Sequence, residues 1–231
     1  MAAARLQRHI MESSVPSESP KLVIGVLELQ GDFFEHERLL EKCGVSTKGI
    51  RQRRHLLDEN GKILVDGLVI PGGESTTIGK LLVELDMLDV IRTAVAPPHC
   101  LPVLGTCAGC ILLARRIRTF DDQPRIGCLE VEVERNAYGP QIESFECQVQ
   151  NVQVFGEEPL RAVLIRAPVI TRVLDSARVQ VLASFRGTPI VVQQDHILAC
   201  TFHPELTGDT RIHRRFIEIV KQNIAVERRL N

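Results

Sequence analysis

Short apolar runs alternate with segments of helical periodicity from residue 22 onward, and this alternation limits the folds that the chain can adopt. Residues 22–29, 67–70 and 101–104 have the length and apolar character of buried strands. Strands that alternate with helices predict a parallel sheet built from strand-helix-strand units. Between the second and third runs, apolar side chains recur every three or four residues and predict one helix packed on the sheet. This stripe comprises Ile78, Leu81, Leu82, Leu85, Leu88 and Ile91.

The second half of the chain has the pattern of antiparallel strands. Residues 129–134 alternate strictly between apolar and acidic side chains, as expected for a strand with one buried and one solvated face. Three later apolar runs are separated by short segments suited to tight reversals, so a meander follows the parallel part. These runs are 179–185, 190–194 and 197–202, and the reversals are 186–189 and 195–196.

An apolar stripe from Ile212 to Ile224 predicts a closing helix, for which Asp209 or Thr210 could be the N-cap. The predicted fold class is therefore α/β, with a mostly parallel central sheet plus antiparallel strands. Residues 21–231 are expected to form one domain.

The composition argues against nucleic acid and membranes as partners. Lys and Arg total 28 against 29 Asp and Glu, so no strong field would attract a polyanion or an anionic lipid surface. Aromatic residues make up only 4% of the chain and Trp is absent, which leaves few platforms for base stacking. No apolar run reaches membrane-spanning length. The expected ligand is a small molecule or a protein surface.

Seven cysteines are an odd number in a chain too long to need disulfide staples, which favours a reducing, cytoplasmic setting. Cys107 and Cys110 form a C-x-x-C pair, but they straddle a strand-to-helix turn and no second pair follows, so we expect no metal. Residues 1–20, which end in a Ser-, Pro- and Glu-rich stretch, predict a disordered tail. Its acid-poor start, residues 2–10, leaves a transit peptide as the alternative.

Residues 105–109, Gly-Thr-Cys-Ala-Gly, follow a strand candidate and precede a helical run, Ile111 to Ile117. This is the layout of a nucleophile elbow with Cys107 in place of serine. Small neighbours let the chain reverse sharply, and the following helix directs N–H groups toward the sulfur, which favours a thiolate. The alternative is a buried, inert cysteine in a glycine-containing turn.

The triplet His203-Pro204-Glu205 can supply both the base that a cysteine nucleophile needs and the group that orients this base. Pro204 biases His203 toward extended geometry, in which residues two apart project to the same side, so Glu205 can reach the ring. The triplet follows strand candidate 197–202, where a sheet presents its ligands. An ordinary exposed pair is the alternative.

Gly72 and Gly73 directly follow the strand predicted at 67–70 and open the long helix. Adjacent glycines permit backbone angles that turn N–H groups toward a ligand, so these residues and the amide of Ala108 are candidates for an oxyanion hole. Ser75 could cap the helix or bind substrate. Alternatively, the glycine pair forms only a turn.

These elements resemble the class I, or triad, glutamine amidotransferases, and within them the glutaminase subunits of pyridoxal 5′-phosphate synthases. The GTCAG and HPE elements are shared by many triad glutaminases, whereas LQG with EH, PGGESTT, ERNAYG with SFE, and IRAP are more specific to the vitamin B6 branch. The segments that carry the resemblance lie between residues 21 and 223: VIGVLELQGDFFEH, DGLVIPGGESTT, VLGTCAGCILLA, VERNAYGPQIESFE, IRAP and FHPELTGD.

The resemblance implies a three-layer sandwich in which Cys107 is the nucleophile, His203 the general base and Glu205 its orienting group. It further implies that Gln30 helps to organise the oxyanion hole. Implied glutamine-binding residues are Gly73, Glu74, Ser75, Arg135, Ile165 and Arg166. Because guanidinium forks suit carboxylates, the two arginines would bind the substrate's α-carboxylate or order the pocket, with a surface salt bridge as the alternative.

The implied activity is hydrolysis of L-glutamine to L-glutamate and ammonia through a thioester. The ammonia would be channelled to a (β/α)₈-barrel synthase subunit in a large hetero-oligomer that makes pyridoxal 5′-phosphate, and no cofactor would be needed. Three alternatives remain: the triad glutaminase of another amidotransferase, a non-catalytic regulatory subunit, and a stand-alone cysteine hydrolase.

Overall fold

The computed structural model describes residues 21–135, 144–149 and 153–230. The strands in these residues are β1 (Val23–Leu27), β2 (Ser46–Ile50), β3 (Gly67–Ile70), β4 (Val103–Thr106), β5 (Ala114–Ile117), β6 (Leu129–Glu134), β7 (Ser144–Val149), β8 (Leu160–Ile165), β9 (Val169–Val173), β10 (Val179–Phe185), β11 (Thr188–Gln194) and β12 (Ile197–Cys200). The helices are α1 (Phe33–Lys42), α2 (Arg53–Leu56), α3 (Ser75–Glu84), α4 (Leu88–Val95), α5 (Ala108–Leu113) and α6 (Arg211–Leu230), with 3₁₀ turns at Gln153–Phe155 and Pro204–Leu206.

A seven-stranded mixed sheet forms the centre, in the order β10-β11-β12-β4-β3-β1-β2. The strands from β12 to β2 are parallel neighbours, whereas β10, β11 and β12 form an antiparallel meander. The predicted parallel sheet and meander are therefore confirmed, and the pairing of β12 with β4 joins them into one sheet. Because β1, β3, β4 and β12 are parallel, their carboxyl ends meet at one edge, where ligands of such sheets bind.

Helices cover both faces of the central sheet. In β3, Leu68 and Ile70 join a cluster that contains residues of α3, α4 and α5, whereas Val69 joins a cluster that contains residues of α1 and α6. Successive side chains of a strand point to opposite faces, so one short strand anchors both layers. This arrangement gives the three-layer order that the resemblance implies.

The single helix predicted across residues 78–91 is wrong, because the chain forms two helices, α3 and α4. Asp86, between them, has a φ of 54°, which no continuous right-handed helix can contain. Leu85, a member of the predicted stripe, is 40% exposed, while Met87 is fully buried at the start of the second helix.

Other predicted boundaries shift by a few residues. The strand predicted at 101–104 is β4, two residues later, and the helical run predicted as far as Ile117 ends at Leu113, where β5 begins. Strands β2, β5, β7, β8 and β9 were not predicted. In β2 the side chains are mostly polar and half-buried, since this strand lies at the sheet edge and has no apolar run to mark it.

The closing helix is confirmed as α6. The backbone N–H of Arg211 donates to Asp209 Oδ1 at 2.9 Å, so Asp209 rather than Thr210 caps this helix. The tail predicted at residues 1–20 and residues 136–139 of the ERNAYG element lie outside the described residues. None of the described helices is long and apolar enough to cross a bilayer.

Candidate active site

Cys107 occupies the sharp turn between β4 and α5. Its backbone angles, φ 46° and ψ −102°, are unfavourable for a residue with a side chain, and strain of this kind costs about 1–3 kcal/mol. The Cys107 N–H donates to the carbonyl of Cys200, on the neighbouring strand, at 2.9 Å. A Cβ at Gly109 would approach the carbonyl oxygen of Ile70 within 2.1 Å, so only glycine fits behind the cysteine. The structure thus contains the elbow that the small residues predict.

His203 and Glu205 follow β12, the parallel neighbour of the strand that carries the cysteine. Both are buried, and His203 Nδ1 lies 2.7 Å from Glu205 Oε1. The extended geometry predicted for this triplet is wrong, because Pro204 begins a 3₁₀ turn and the turn brings Glu205 back to the ring. A Cβ at Gly72 would lie 2.3 Å from His203 Cε1, so the glycine lets the loop after β3 contact the imidazole.

The His203 ring interacts with three groups that favour its protonated form. Burial lowers the pKa of His203, but hydrogen bonds with Asp32, Cys107 and Glu205 outweigh burial and raise this pKa to about 12. Burial also raises the pKa of Glu205, and the hydrogen bond from His203 opposes that rise. An imidazolium beside the sulfur is the arrangement that activates a cysteine nucleophile.

Asp32, which was not identified from the sequence, places a second carboxylate near the same ring nitrogen. Its Oδ2 lies 3.3 Å from His203 Nδ1, and its side chain is 41% exposed. Asp32, His203 and Glu205 offer three potential metal-ligand atoms within 4.8 Å of one another. Because Nδ1 cannot donate a proton to a carboxylate and bind a metal at the same time, ion pairing accounts for this cluster.

The loop after β3 lies against the loop after β1. Gln30 Oε1 accepts a hydrogen bond from the Glu74 N–H at 2.7 Å, so Gln30 reaches the edge of the site and supports this loop. Gly73 has a φ of 149°, a conformation that favours glycine. The oxyanion-hole candidates Gly72, Gly73 and Ala108 therefore lie at the ends of β3 and β4, which are neighbouring strands.

Glu74 and Arg135 form a rim at the exposed side of the site. The Arg135 guanidinium donates to Glu74 Oε1 at 2.9 Å and to Gln123 Oε1 at 2.8 Å, and it stacks on the Phe120 ring at 5.1 Å. Burial acts to raise the pKa of Glu74, but hydrogen bonds from the first turn of α3 and the charges of Arg135 and Arg166 lower it. The sequence allows Arg135 either to bind the substrate's α-carboxylate or to order the pocket, and these hydrogen bonds favour the ordering role.

Ser75 begins α3 but does not cap it, so that alternative is wrong. The Glu74 side chain accepts the hydrogen bond from the N–H of Thr76 instead. Ser75 Oγ is buried and has no hydrogen-bond partner among the described residues, which leaves it available to a ligand. Ile165, at the end of β8, directs its carbonyl oxygen toward the Cys107 sulfur at 4.0 Å. Its neighbour Arg166 is exposed with a φ of 44°.

Behind Cys107, His203 and Glu205 lies a buried row of polar side chains that sequence reasoning missed. His36 Nδ1 lies 2.9 Å from His213 Nε2, and His36 Nε2 lies 3.1 Å from Thr106 Oγ1 and 3.3 Å from Glu205 Oε2. Burial lowers the pKa of His36 well below its usual value and that of His213 to about 4, so both rings are neutral. A histidine on the buried face of an amphipathic helix was the signal that could have indicated His36.

The chain is similar to glutamine amidotransferases over most of its length. The model of the SNO glutamine amidotransferase family matches residues 26–222. Two relatives, each named pyridoxal 5′-phosphate synthase subunit PdxT, come from Desulforamulus reducens and Carboxydothermus hydrogenoformans. The first is 47% identical over 87% of this chain and all of the relative, and the second is 49% identical over 85% and 97%.

A solved structure described as a glutamine amidotransferase is 45% identical, with a TM-score of 0.76 over 86% of this chain and 98% of that chain. The match confirms the predicted α/β fold, and the relatives confirm the resemblance that the motifs carry. The chain belongs to the SNO glutamine amidotransferase family.

Proposed function

We propose that this chain is the glutaminase subunit of a pyridoxal 5′-phosphate synthase and that Cys107, His203 and Glu205 are its catalytic triad. The observation that carries the proposal is the arrangement of these side chains at one sheet edge. A hydrogen bond with the Cys107 thiol contributes to the raised pKa of His203, and Nδ1 of this ring lies 2.7 Å from a buried carboxylate oxygen of Glu205. Nucleophile, base and orienting group then stand in the order that a triad requires.

The Cys107 thiolate attacks the side-chain amide carbon of L-glutamine, and the developing oxyanion is stabilised by backbone N–H groups. Because Nδ1 faces Glu205, the opposite nitrogen of His203 gives its proton to the leaving nitrogen, and ammonia departs from a thioester. Water then attacks the thioester while His203 accepts its proton, which releases L-glutamate and restores the sulfur. Residues proposed for the oxyanion hole are Gly72, Gly73 and Ala108, supported by Gln30.

The rim is proposed to bind the amino-acid end of glutamine. Glu74 presents an exposed, ionised carboxylate suited to the substrate ammonium, and Arg166 offers an exposed guanidinium to its carboxylate. Arg135 holds Glu74 in place. Gly73, Ser75 and Ile165 would line the pocket between this rim and the sulfur.

Free ammonia takes up a proton in water at neutral pH and is then no longer a nucleophile. Product ammonia therefore passes directly to a synthase subunit, a (β/α)₈ barrel in a large hetero-oligomer. The names of the relatives support this partner. Seven free cysteines agree with a cytoplasmic location.

The test is glutamate release from L-glutamine, measured with and without the cognate barrel subunit. The wild-type protein should release glutamate in the complex, and Cys107→Ala should form the complex without releasing glutamate. Retained turnover in Cys107→Ala would refute the nucleophile. Assembly with the synthase of another pathway instead would refute the assigned partner.

A further inference from the structure

Glu205 uses only one of its carboxylate oxygens to orient His203. Oε1 faces the ring at 2.7 Å, whereas Oε2 is buried and has no aligned hydrogen bond within the described residues. His36 Nε2 lies 3.3 Å from Oε2, and both side chains are fully buried. A buried carboxylate oxygen without a donor is costly, so the protonation of His36 decides how stable the triad carboxylate is.

A neutral imidazole carries one proton, and two placements are possible. A proton on Nδ1 would point toward His213 and leave the Nε2 lone pair facing the lone pairs of Glu205 Oε2 across 3.3 Å. A proton on Nε2 can be donated to Thr106 Oγ1 at 3.1 Å and presents positive charge to Glu205 Oε2, 3.3 Å from the same nitrogen, while Nδ1 accepts the proton of His213 Nε2 at 2.9 Å. The second placement removes the repulsion, and it leaves His213 Nδ1, which has no partner among the described residues, as an unprotonated acceptor.

We propose that His36 is a positioning residue of the glutaminase reaction, a neutral imidazole whose Nε2 proton stabilises Glu205 Oε2 and so fixes the carboxylate that orients His203. His213 fixes the tautomer of His36 from the far side. The inference rests on the proposed role of the triad and extends it by two groups, His36 and His213.

The electrostatic surroundings favour this state. Burial lowers the pKa of His36, and the neighbouring rings of His213 and His203 lower it further, so His36 adds no second positive charge beside the imidazolium. Within the described residues, ionisable groups that act on these side chains include Asp32 and Cys107 near His203, Cys200 near Glu205 and Asp209 near His213. A neutral donor can stabilise a carboxylate without competing with His203 for it.

Two substitutions separate positioning from packing. His36→Leu keeps a similar volume but has no donor, whereas the side-chain amide of His36→Gln spans the same number of bonds from Cβ and places an N–H near Oε2. In the complex with the synthase, we expect His36→Leu to lower kcat for glutamate release about 10- to 100-fold, with little change in KM, because outer supporting groups have effects of this size. The acid limb of the pH profile of kcat should also move to higher pH in His36→Leu, since Glu205 takes up a proton more readily without the donor. His36→Gln should recover most of kcat and the original pH profile.

His196→Leu is the matched control, because this half-buried histidine bonds to the Val95 carbonyl at 2.8 Å outside the site. It should keep wild-type kcat. The second measurement is the ¹⁵N NMR spectrum of the histidine rings in wild type at pH 7, where His36 should be protonated at Nε2. An Nδ1-protonated His36 overturns the proposal, even if His36→Leu fails to fold.

The proposal for His36 is also overturned if a folded His36→Leu protein keeps the wild-type kcat and pH profile. It is likewise overturned if kcat of His36→Gln is no higher than that of His36→Leu. Cys107→Ala is assayed in parallel. If it is inactive while His36→Leu is normal, the triad stands and only the role of His36 is wrong; if it is active, the proposed triad itself is wrong.

Discussion

Glu205 in the interior of the site and Glu74 at its rim are both carboxylates paired with a cation, and the same pairing has opposite properties in the two places. The Glu205 side chain is fully buried beside His203, and burial raises its pKa. The Glu74 side chain is 54% exposed beside Arg135, and its pKa is lowered. Hydrogen bonds between buried polar groups are strong because the interior has a low dielectric constant, whereas exposed pairs exchange partners with water at little cost. The interior pair therefore suits a reaction that requires fixed geometry, and the rim pair suits recognition.

The largest expected effect is loss of the interior nucleophile. Cys107→Ala should reduce kcat by about 10³-fold or more, because the variant lacks the thiolate that is proposed to form the thioester. Cys110→Ala, in the helix that follows Cys107, is the control: burial raises the pKa of that thiol to about 12, so it stays protonated, and turnover should change little. Comparable losses in the two variants would mean that packing, rather than the Cys107 thiolate, limits the reaction.

Acid should lower the free energy of unfolding, because the buried histidines take up protons at a higher pH in the unfolded chain than in the folded one. The pKa of His213 is about 4 when folded, against 6.5 when unfolded. The unfolded chain therefore binds more protons between these values, and stability that is full above pH 6.5 is lost as the pH falls toward 4, by about 3 kcal/mol. Urea unfolding from pH 7.5 to 4 measures the slope.

His213→Leu removes this titrating group and should flatten that slope. A slope as steep as that of wild type would show that other groups cause the loss.

The two carboxylates near His203 Nδ1 sharpen the contrast between buried and exposed groups. Glu205→Gln should lower kcat about 10²-fold, because a neutral amide stabilises the imidazolium poorly. Asp32→Asn, at a half-exposed position, should have a smaller effect, since solvent screens that carboxylate. Glutamate release by the two variants in the complex gives the comparison, and an equal or larger loss in Asp32→Asn would contradict it.

The smallest effect is expected at the rim. Arg135→Lys removes the fork that contacts both Glu74 and Gln123, so KM for glutamine should rise about 10-fold with kcat nearly unchanged. Arg115→Lys, at a surface pair with Glu130 away from the site, is the control. A fall in kcat without a rise in KM would place Arg135 in the chemical step and remove the distinction between interior and rim.

Several parts of this site could be predicted because their signals are local. Small residues around Cys107 indicate a sharp turn, and the spacing of His203 and Glu205 allows their contact in either an extended or a 3₁₀ conformation. The break in the helix at Asp86 could not be predicted, because apolar spacing continues across it. The cap at Glu74 was missed since Ser75 is the better N-cap by residue type.

The sequence by itself determined the parallel sheet with its following meander, the elbow and the family, since these depend on periodicity and on motifs of a few neighbouring residues. Only the tertiary structure decided that His36 and His213 stand behind Glu205, because 177 residues separate the two histidines and the packing of α1 and α6 in one core cluster brings them together. It also decided which carboxylate is buried and which is exposed. Burial depends on what packs against a side chain from distant segments, and no local pattern contains that information.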